Sequence, residues 1–428
     1  MRLGGRLAGA IEVLSDIETR RRPVADALKD WGLAHRFAGS GDRAAIGNIV
    51  YDALRMKLSH AYIMDDDSPA ALGYAVLLRQ WGMAPESLAA DLDGDSFAPA
   101  PLTQAQSAAF SSRTLEDAPQ FVQGDIPEWV VPSFEAVFGA DWLREAQALA
   151  VRPSLDLRAN TLKANRDKVL KALSHTQARP ATISPIGIRI EPGEGPSRLP
   201  NVTAELGFQK GWFEVQDEGS QIVSALVEPG EGHQVLDFCA GGGGKTLAMA
   251  AAMGNKGQVH AYDSDRKRLA PIIERLKRAG THNIQVHDRV AALQSLTGRF
   301  DKVLVDAPCT GTGTWRRRPD TKWRLTDRNL QERIEQQQQA LTEAATYVRS
   351  GGELIYVTCS VLPEENDRQI EAFTAAHPQF SPMPMLERWT GLFGGSVAKP
   401  ISAHGKSLTL SPAATDTDGF FFCRMVKA

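Results

Sequence analysis

The chain has 428 residues, enough for two or three domains with sizeable cores, and no long uncharged apolar run that could span a membrane. Its net charge of -3 gives no global field for nucleic acid, so any polyanion has to meet local basic patches. The four cysteines, Cys239, Cys309, Cys359 and Cys423, form no C-x-x-C pair, which argues against a metal site and against a disulfide framework.

Arg6 and Glu12 interrupt the opening segment, which therefore lacks the apolar core of a signal peptide; a cytoplasmic, reducing setting is expected. Residues 1–118 read as a helical domain. Ile46, Ile49, Val50, Ala53 and Leu54 recur at helical spacing behind Asp42 as N-cap, and Ala70–Trp81 gives another apolar helix. Asp91–Ala118, with Phe97-Ala98-Pro99-Ala100-Pro101, loses periodicity and reads as a connector. Residues 119–212 form a small α+β module: a helix over Ser133–Leu149, an alternating strand over Leu155–Asn160, a helix over Arg166–Ser174 and a short strand around Ile186–Ile190.

Residues 213–428 alternate between strand and helix. Strands are expected at 233–239, 257–263, 284–288, 302–307 and 352–359, with helices at 244–253, 265–279, 327–349 and 364–376. Gly419–Met425 reads as a late strand. Parallel strands joined by crossover helices give a doubly wound α/β sheet.

In such a sheet ligands bind outside the carboxyl ends of the strands. Three segments should converge there: the glycine turn Cys239–Lys245, the Asp306-Ala307-Pro308-Cys309 loop and Thr358-Cys359-Ser360. A P-loop needs glycine where Cys239 stands, and the G-x-G-x-x-G pattern fails at Thr246 or Leu247. What remains is Asp237, a run of glycines open to close backbone approach, and two further strand-end acids, Asp263 and Asp288. That order suits S-adenosylmethionine, with the glycine turn near the methionyl part, Asp263 on the ribose and Asp288 near the adenine. Any βαβ unit carries glycines and strand-end acids, so the local pattern alone leaves a structural reading open.

An isolated cysteine is more often a small buried hydrophobe than a nucleophile. Cys309 and Cys359 stand in polar, Pro/Gly-flanked strand ends, which reverses that preference, whereas Cys423 lies in an aromatic strand and reads as packing. Two thiols beside a cofactor turn point to covalent chemistry on an electrophilic substrate. The stretch Trp315-Arg316-Arg317-Arg318, with Lys322, Trp323 and Arg324, suits phosphate contacts and base stacking, or else a solvated loop pairing with Asp320 and Asp327.

The second half of the chain resembles the RsmB/Sun family of RNA 5-methylcytosine methyltransferases. The matching stretches are Gln216–Gln221, Cys239–Thr246, Asp306–Gly313, Arg317–Trp323, Gly351-Gly352 and Tyr356–Asn366. Arg158–Lys163 resembles the family's small RNA-recognition-like module, and the N-terminal helices resemble the NusB-like domain of the bacterial 16S ribosomal RNA members. The family turn Cys-Ala-Ala-Pro-Gly-Gly-Lys is altered here, where Gly241 and Gly242 replace Ala-Pro.

The resemblance implies a class I, Rossmann-like methyltransferase acting on carbon 5 of a cytosine in RNA. It implies Cys359 as nucleophile at carbon 6, Cys309 assisting release, Asp306 on the pyrimidine edge, and Lys245 on the base or beside the thiolate. It further implies a cofactor cradle of Cys239, Ala240, Gly241, Gly242, Gly243, Gly244, Lys245, Asp263, Arg268, Asp288 and Asp306. A monomer acting on an unstacked or flipped cytosine is expected. Transfer RNA as substrate, or a non-catalytic RNA-binding assembly factor, are the alternatives; joint retention of Cys309, Cys359, Asp306 and Lys245 argues against the second.

Overall fold

The computed structural model describes residues 1–428. The chain divides into two compact units. The first is helical and comprises Met1–Pro153, Pro192–Leu199 and Thr314–Leu325. The second is α/β and comprises Ser154–Glu191, Pro200–Gly313 and Thr326–Ala428.

In the helical unit the helix Ser40–Arg55 buries the expected stripe: Ile46, Ile49, Val50 and Ala53 are fully enclosed. It packs with Leu7, Ala10, Leu14 and Leu77 in one apolar core. The helix starts earlier than expected, with Gly39 as its N-cap. Asp42 instead lies in the first turn, accepts the Gly39 N–H at 3.2 Å and pairs with the Met1 amino group at 3.1 Å. The expected connector contains a helix, Gln104–Ser112, with no buried residue, which is why no apolar period marks it. Its start is a capping box in which Thr103 Oγ1 accepts the Gln106 N–H at 3.2 Å and Gln106 Oε1 accepts the Thr103 N–H at 2.8 Å. The expected Ser133–Leu149 helix is two, Val131–Phe138 and Trp142–Ala148, parted at Gly139 with φ of 55°.

At Trp315 and Lys322 the segment Thr314–Leu325 is neither an RNA-stacking nor a solvated loop, although the expected pairing with Asp320 forms, to Arg324 at 2.7 Å. Trp315 is fully buried and stacks on Phe134, with ring centroids 5.9 Å apart. Lys322 is fully buried and donates to the Arg55 carbonyl at 2.9 Å. Trp323 Nε1 donates to the Leu54 carbonyl at 2.6 Å. Burial in the helical core, Trp315 against Phe134 and Lys322 on a helix carbonyl, leaves neither Trp315 nor Lys322 available to a nucleotide. Of the arginine run, Arg318 is the exposed member.

The α/β unit holds two sheets. A small antiparallel sheet has β1 (Leu155–Ala159), β2 (Arg179–Pro180), β3 (Gly187–Ile190) and β4 (Phe213–Val215) in the order β2-β3-β1-β4. The main sheet contains β5 (Gln234–Asp237), β6 (Gln258–Tyr262), β7 (Ile284–His287), β8 (Phe300–Asp306), β9 (Val348–Thr358), β10 (Phe380–Pro382), β11 (Ser407–Leu410) and β12 (Phe420–Lys427). Its order is β10-β12-β9-β8-β5-β6-β7, with β11 paired to β12. Strands β5 to β9 are parallel, and β10, β11 and β12 pair antiparallel at the far side. Both faces are covered: Val303, Val305, Leu354 and Tyr356 enter one core, while Leu304, Ile355 and Val357 enter the other. A continuous apolar run therefore replaces alternation in the central strands.

Three elements depart from expectation for local reasons. Pro271 splits the 265–279 helix into Arg266–Leu269 and Ile272–Ala279, because its ring cannot continue the hydrogen-bond ladder. The 327–349 helix ends at Ala345, and β9 already begins at Val348. The short strands β10 and β11 carry no pattern strong enough to read in advance.

Candidate active site

The chain leaves β5, runs outward through β6 and β7, then returns so that β8 lies on the other side of β5. The order in which parallel strands are added thus reverses between β5 and β8, and the crevice opens outside their carboxyl ends. The turn after β5 and the loop after β8 meet there, with the end of β9 beside them.

The glycine turn is fastened from its far side. Asp263, at the end of β6, accepts the Gly241 N–H at 2.8 Å and the Asp265 N–H at 2.8 Å. Gly241 has φ of 50° and Gly243 has φ of 80°, left-handed values that glycine adopts without penalty. At Gly243 a side chain would also meet Ile272 at 2.5 Å, so the position admits no other residue without movement. The Arg268 guanidinium lies over the turn: a β-carbon on Gly241 would stand 3.5 Å from it. Arg275 donates to the Gly242 carbonyl at 2.6 Å. Gly244 then opens the helix Gly244–Ala252 and leaves its first amides directed at the crevice.

Beneath the turn, Asp237 is fully buried. Its Oδ2 accepts from Thr246 at 2.7 Å, and its Oδ1 has no hydrogen-bond partner. Burial pushes this carboxyl up to about 7. Cys239 lines the crevice, and burial, reinforced by Asp263, Asp306 and Asp237, raises its thiol well above the ordinary range.

A cavity of about 700 Å³ adjoins the turn, lined among others by Phe238, Cys239, Tyr262, Asp263, Arg268 and Pro308. It combines two aromatic rings with three carboxylates (Asp263, Asp265 and Glu343) and two guanidiniums (Arg268 and Arg333), a mixed lining suited to a small polar molecule with an aromatic part. Asp288 does not line it; it is about half exposed and pairs with Arg266 at 3.1 Å.

The reactive groups sit where β8 and β9 end. Lys245 Nζ donates to Asp306 Oδ2 at 2.7 Å and lies 5.3 Å from the centre of the Phe420 ring. Burial alone would lower the Lys245 pKa, but Asp306 outweighs it and the net direction is upward, so the ammonium is held charged. Cys309 Sγ lies 3.3 Å from Cys359 Sγ. The hydrogen bond to Cys359, and then burial, push the Cys309 thiol well above its ordinary range.

Two supports were not singled out from the sequence. Glu365 is fully buried in the turn Pro363–Glu365; its Oε1 accepts the Thr310 N–H at 2.8 Å and Gln337 Nε2 at 2.9 Å, and its Oε2 accepts from Thr310 Oγ1. Gln337 Nε2 also donates to the Pro308 carbonyl at 3.0 Å. Thr312 and Ser360 share a hydrogen bond of 2.9 Å, and the Gly313 N–H donates to the Cys359 carbonyl at 3.0 Å. A Pro-x-Glu turn just after a cysteine strand end is the only trace of Glu365 in the sequence, and it does not say which acid turns inward.

Other stretches of the sequence pattern are structural. Arg158 is buried and donates to Gln216 Oε1 at 2.6 Å, while Asn160 Nδ2 donates to the Gly211 and Ala279 carbonyls at 2.8 Å. Glu218 accepts the Ile183 and Ser184 N–H groups at 2.6 and 2.7 Å. These residues fasten the small sheet to the helices beside it.

The description "16S rRNA methyltransferase RsmB/F" belongs to a family model that matches residues 224–426. A second model, for the ferredoxin-like domain of RsmF/B-like methyltransferases, matches residues 126–194. A "Probable ribosomal RNA small subunit methyltransferase B" of Synechocystis sp. is 32% identical over 315 residues, spanning 72% of this chain and 68% of the relative. The "Ribosomal RNA small subunit methyltransferase B" of Citrobacter koseri is 34% identical over 305 residues, spanning 70% of this chain and 66% of the relative. The crystal structure of PH0851 superposes with a TM-score of 0.75 and 24% identity, covering 100% of this chain and 99% of that one, a likeness of fold.

Proposed function

The chain belongs to the RsmB/F family of 16S rRNA methyltransferases, and from that premise we propose that it methylates carbon 5 of a cytosine in small-subunit ribosomal RNA through a covalent cysteine adduct. The observation that carries the reading is the pair of thiols 3.3 Å apart at two strand ends, beside the Lys245–Asp306 ion pair.

The residues around the cavity fit S-adenosylmethionine. Its volume of about 700 Å³ lies within the range of small-molecule sites, roughly 300–1,000 Å³. Asp263 supplies a carboxylate for the ribose diol, Phe238 and Tyr262 supply apolar rings, and the amides opening the helix at Gly244 suit a carboxylate. When bound, S-adenosylmethionine supplies an electrophilic methyl group on a sulfonium. Asp288 pairs with Arg266 at 3.1 Å, and neither residue lines the cavity wall.

Carbon 5 of cytosine is a weak nucleophile. The Cys359 thiolate adds to carbon 6, which makes carbon 5 enamine-like and able to take the methyl group. Asp306, held by Lys245, orients the pyrimidine edge and moves a proton there. Cys309 then takes part in loss of the carbon 5 hydrogen and expulsion of Cys359. At 3.3 Å the two sulfurs share a hydrogen bond, so while one is ionised the other keeps its proton and the two do not both attack carbon 6. The domain division read from the sequence, 1–118, 119–212 and 213–428, assigns RNA capture to the first two parts, with the target base unstacked for the thiol.

The test is transfer of a tritiated methyl group from S-adenosylmethionine to small-subunit ribosomal RNA and, in parallel, to transfer RNA, followed by nucleoside analysis. Label in 5-methylcytidine of ribosomal RNA supports the reading. Label confined to transfer RNA, or in another nucleoside, overturns the substrate, and no label in either RNA overturns the activity.

A further inference from the structure

The loop that carries Cys309 has neither strand nor helix to hold it, whereas Cys359 adjoins a strand paired on both sides. Cys359 directly follows β9, which pairs with β8 on one side and β12 on the other, so its backbone is set by the sheet. Cys309 follows Ala307, whose N–H donates to Val357 at 2.8 Å, and the next tie to the sheet is Gly313. Between these, the residues on either side of Cys309 have two anchors. The Thr310 N–H and hydroxyl both go to the Glu365 carboxylate. The Pro308 carbonyl goes to Gln337, whose same amide group donates to Glu365. These donors, with the Ser360 side chain that Thr312 also holds at 2.9 Å, meet at one enclosed carboxylate that touches neither thiol and does not line the cavity.

We propose that Glu365 is a positioning residue for the Cys309 loop: it sets the place of the Cys309 thiol while leaving Cys359 and the glycine turn unaffected. The inference rests on the two-thiol reading above and adds a step-specific consequence. The Glu365 backbone is fixed independently, because its carbonyl accepts from Tyr356 at 2.7 Å and the neighbouring Asn366 bridges Thr358 and the Ser360 carbonyl. A change at the carboxylate therefore acts on the loop more than on its own turn. Glu364, its neighbour, pairs instead with Arg368 at 2.9 Å, so the two adjacent acids are not interchangeable. Displacement of a reacting group by about 1 Å can cost about a hundredfold in rate. Applied to Cys309 alone, that loss falls on release and spares attack.

The experiment compares Glu365→Gln, Cys309→Ala and the double variant Glu365→Gln/Cys359→Ala, in the full chain, with small-subunit ribosomal RNA. Glu365→Gln should lower turnover by about a hundredfold and accumulate a protein–RNA adduct that survives denaturing electrophoresis. The double variant should form no adduct, and S-adenosylmethionine affinity by calorimetry should match the parent. A fall in turnover without adduct, under conditions where Cys309→Ala does trap one, overturns the positioning role, as does unchanged turnover. If Cys309→Ala traps nothing, the two-thiol reading fails and this inference with it. Should Glu365→Gln not fold, Thr310→Val decides: it removes one of the carboxylate's donors at constant volume and should show the same adduct at lower yield, and its absence overturns the proposal.

Discussion

Asp263 and Glu365 do the same work on two different loops. Each is a buried carboxylate that takes a backbone N–H from a turn without regular structure: Gly241 at 2.8 Å in one case, Thr310 at 2.8 Å in the other. They differ in what lies on the open side. Asp263 also faces a cavity of about 700 Å³, whereas the donors of Glu365 all come from its own surroundings. A carboxylate open to a ligand acts on affinity. An enclosed one acts only through the loop it holds, and so on a step of the reaction. On the proposed reading the same local chemistry yields a binding group and a positioning group, and the surroundings tell them apart.

The largest effect that could break this comparison lies at the thiols themselves. Cys359→Ala should lower turnover by at least about a thousandfold and form no adduct, while Cys309→Ala should trap one. The reverse gel pattern would exchange the two assignments, and Glu365 would then hold the attacking group. The next effect concerns a third carboxylate, Asp237, which lies under the glycine turn with one oxygen unpartnered. Its pKa is about 7 folded against 3.8 as a free side chain. Between those values the unfolded chain is ionised and the folded one keeps its proton, so this group's contribution falls as pH rises through that window and is level above it. Asp237→Asn cannot ionise. Its stability relative to the parent should rise from pH 4 to 7, by up to about 4 kcal/mol, and then plateau. Thermal melts of cofactor-free protein at pH 5 and pH 8 check this; a difference independent of pH would contradict it.

Asp263→Ala sharpens the comparison directly. Loss of a charge-assisted hydrogen bond should weaken S-adenosylmethionine binding by about 1.5–3 kcal/mol, read by calorimetry, without trapping adduct. Unchanged affinity would reduce Asp263 to a loop anchor, the same class as Glu365. The smallest effect belongs to Asp288, whose ion pair with Arg266 is more than half exposed on both sides. Asp288→Ala should cost less than about 1 kcal/mol of affinity, measured in the same way.

The central strands were legible because apolar β-branched runs such as Val303-Leu304-Val305 end in Asp-Ala-Pro-Cys, where a sheet meets its ligand. The glycine turn could be read from the failures of two nucleotide motifs, and its neighbours Asp263 and Arg268 do line the cavity. Trp315 and Lys322 misled because a basic, aromatic composition is the same whether the side chains face a nucleotide or a helical core. Sequence spacing cannot supply Phe134, on which Trp315 stacks, or the Arg55 carbonyl that receives Lys322. The helix Gln104–Ser112 was missed because helices are recognised by a buried stripe and it has none. Glu365 was hidden by its twin Glu364, since the direction of each depends on a turn that no periodicity encodes.

Thr314–Leu325 belongs to the helical unit yet is separated from that unit's first stretch, Met1–Pro153, by the 160 residues 154–313. A ribosome adds about 5–20 residues per second, so on the order of ten to thirty seconds pass between synthesis of the two. In that interval Phe134 has no Trp315 to stack on, and Asp125, enclosed and held by the Leu58 and Ser59 amides, lacks the Lys322 charge that favours its ionised form. The helical core therefore stays open during translation until Leu325 has emerged. The part of the chain made first is completed by a segment made after the loop that carries Cys309.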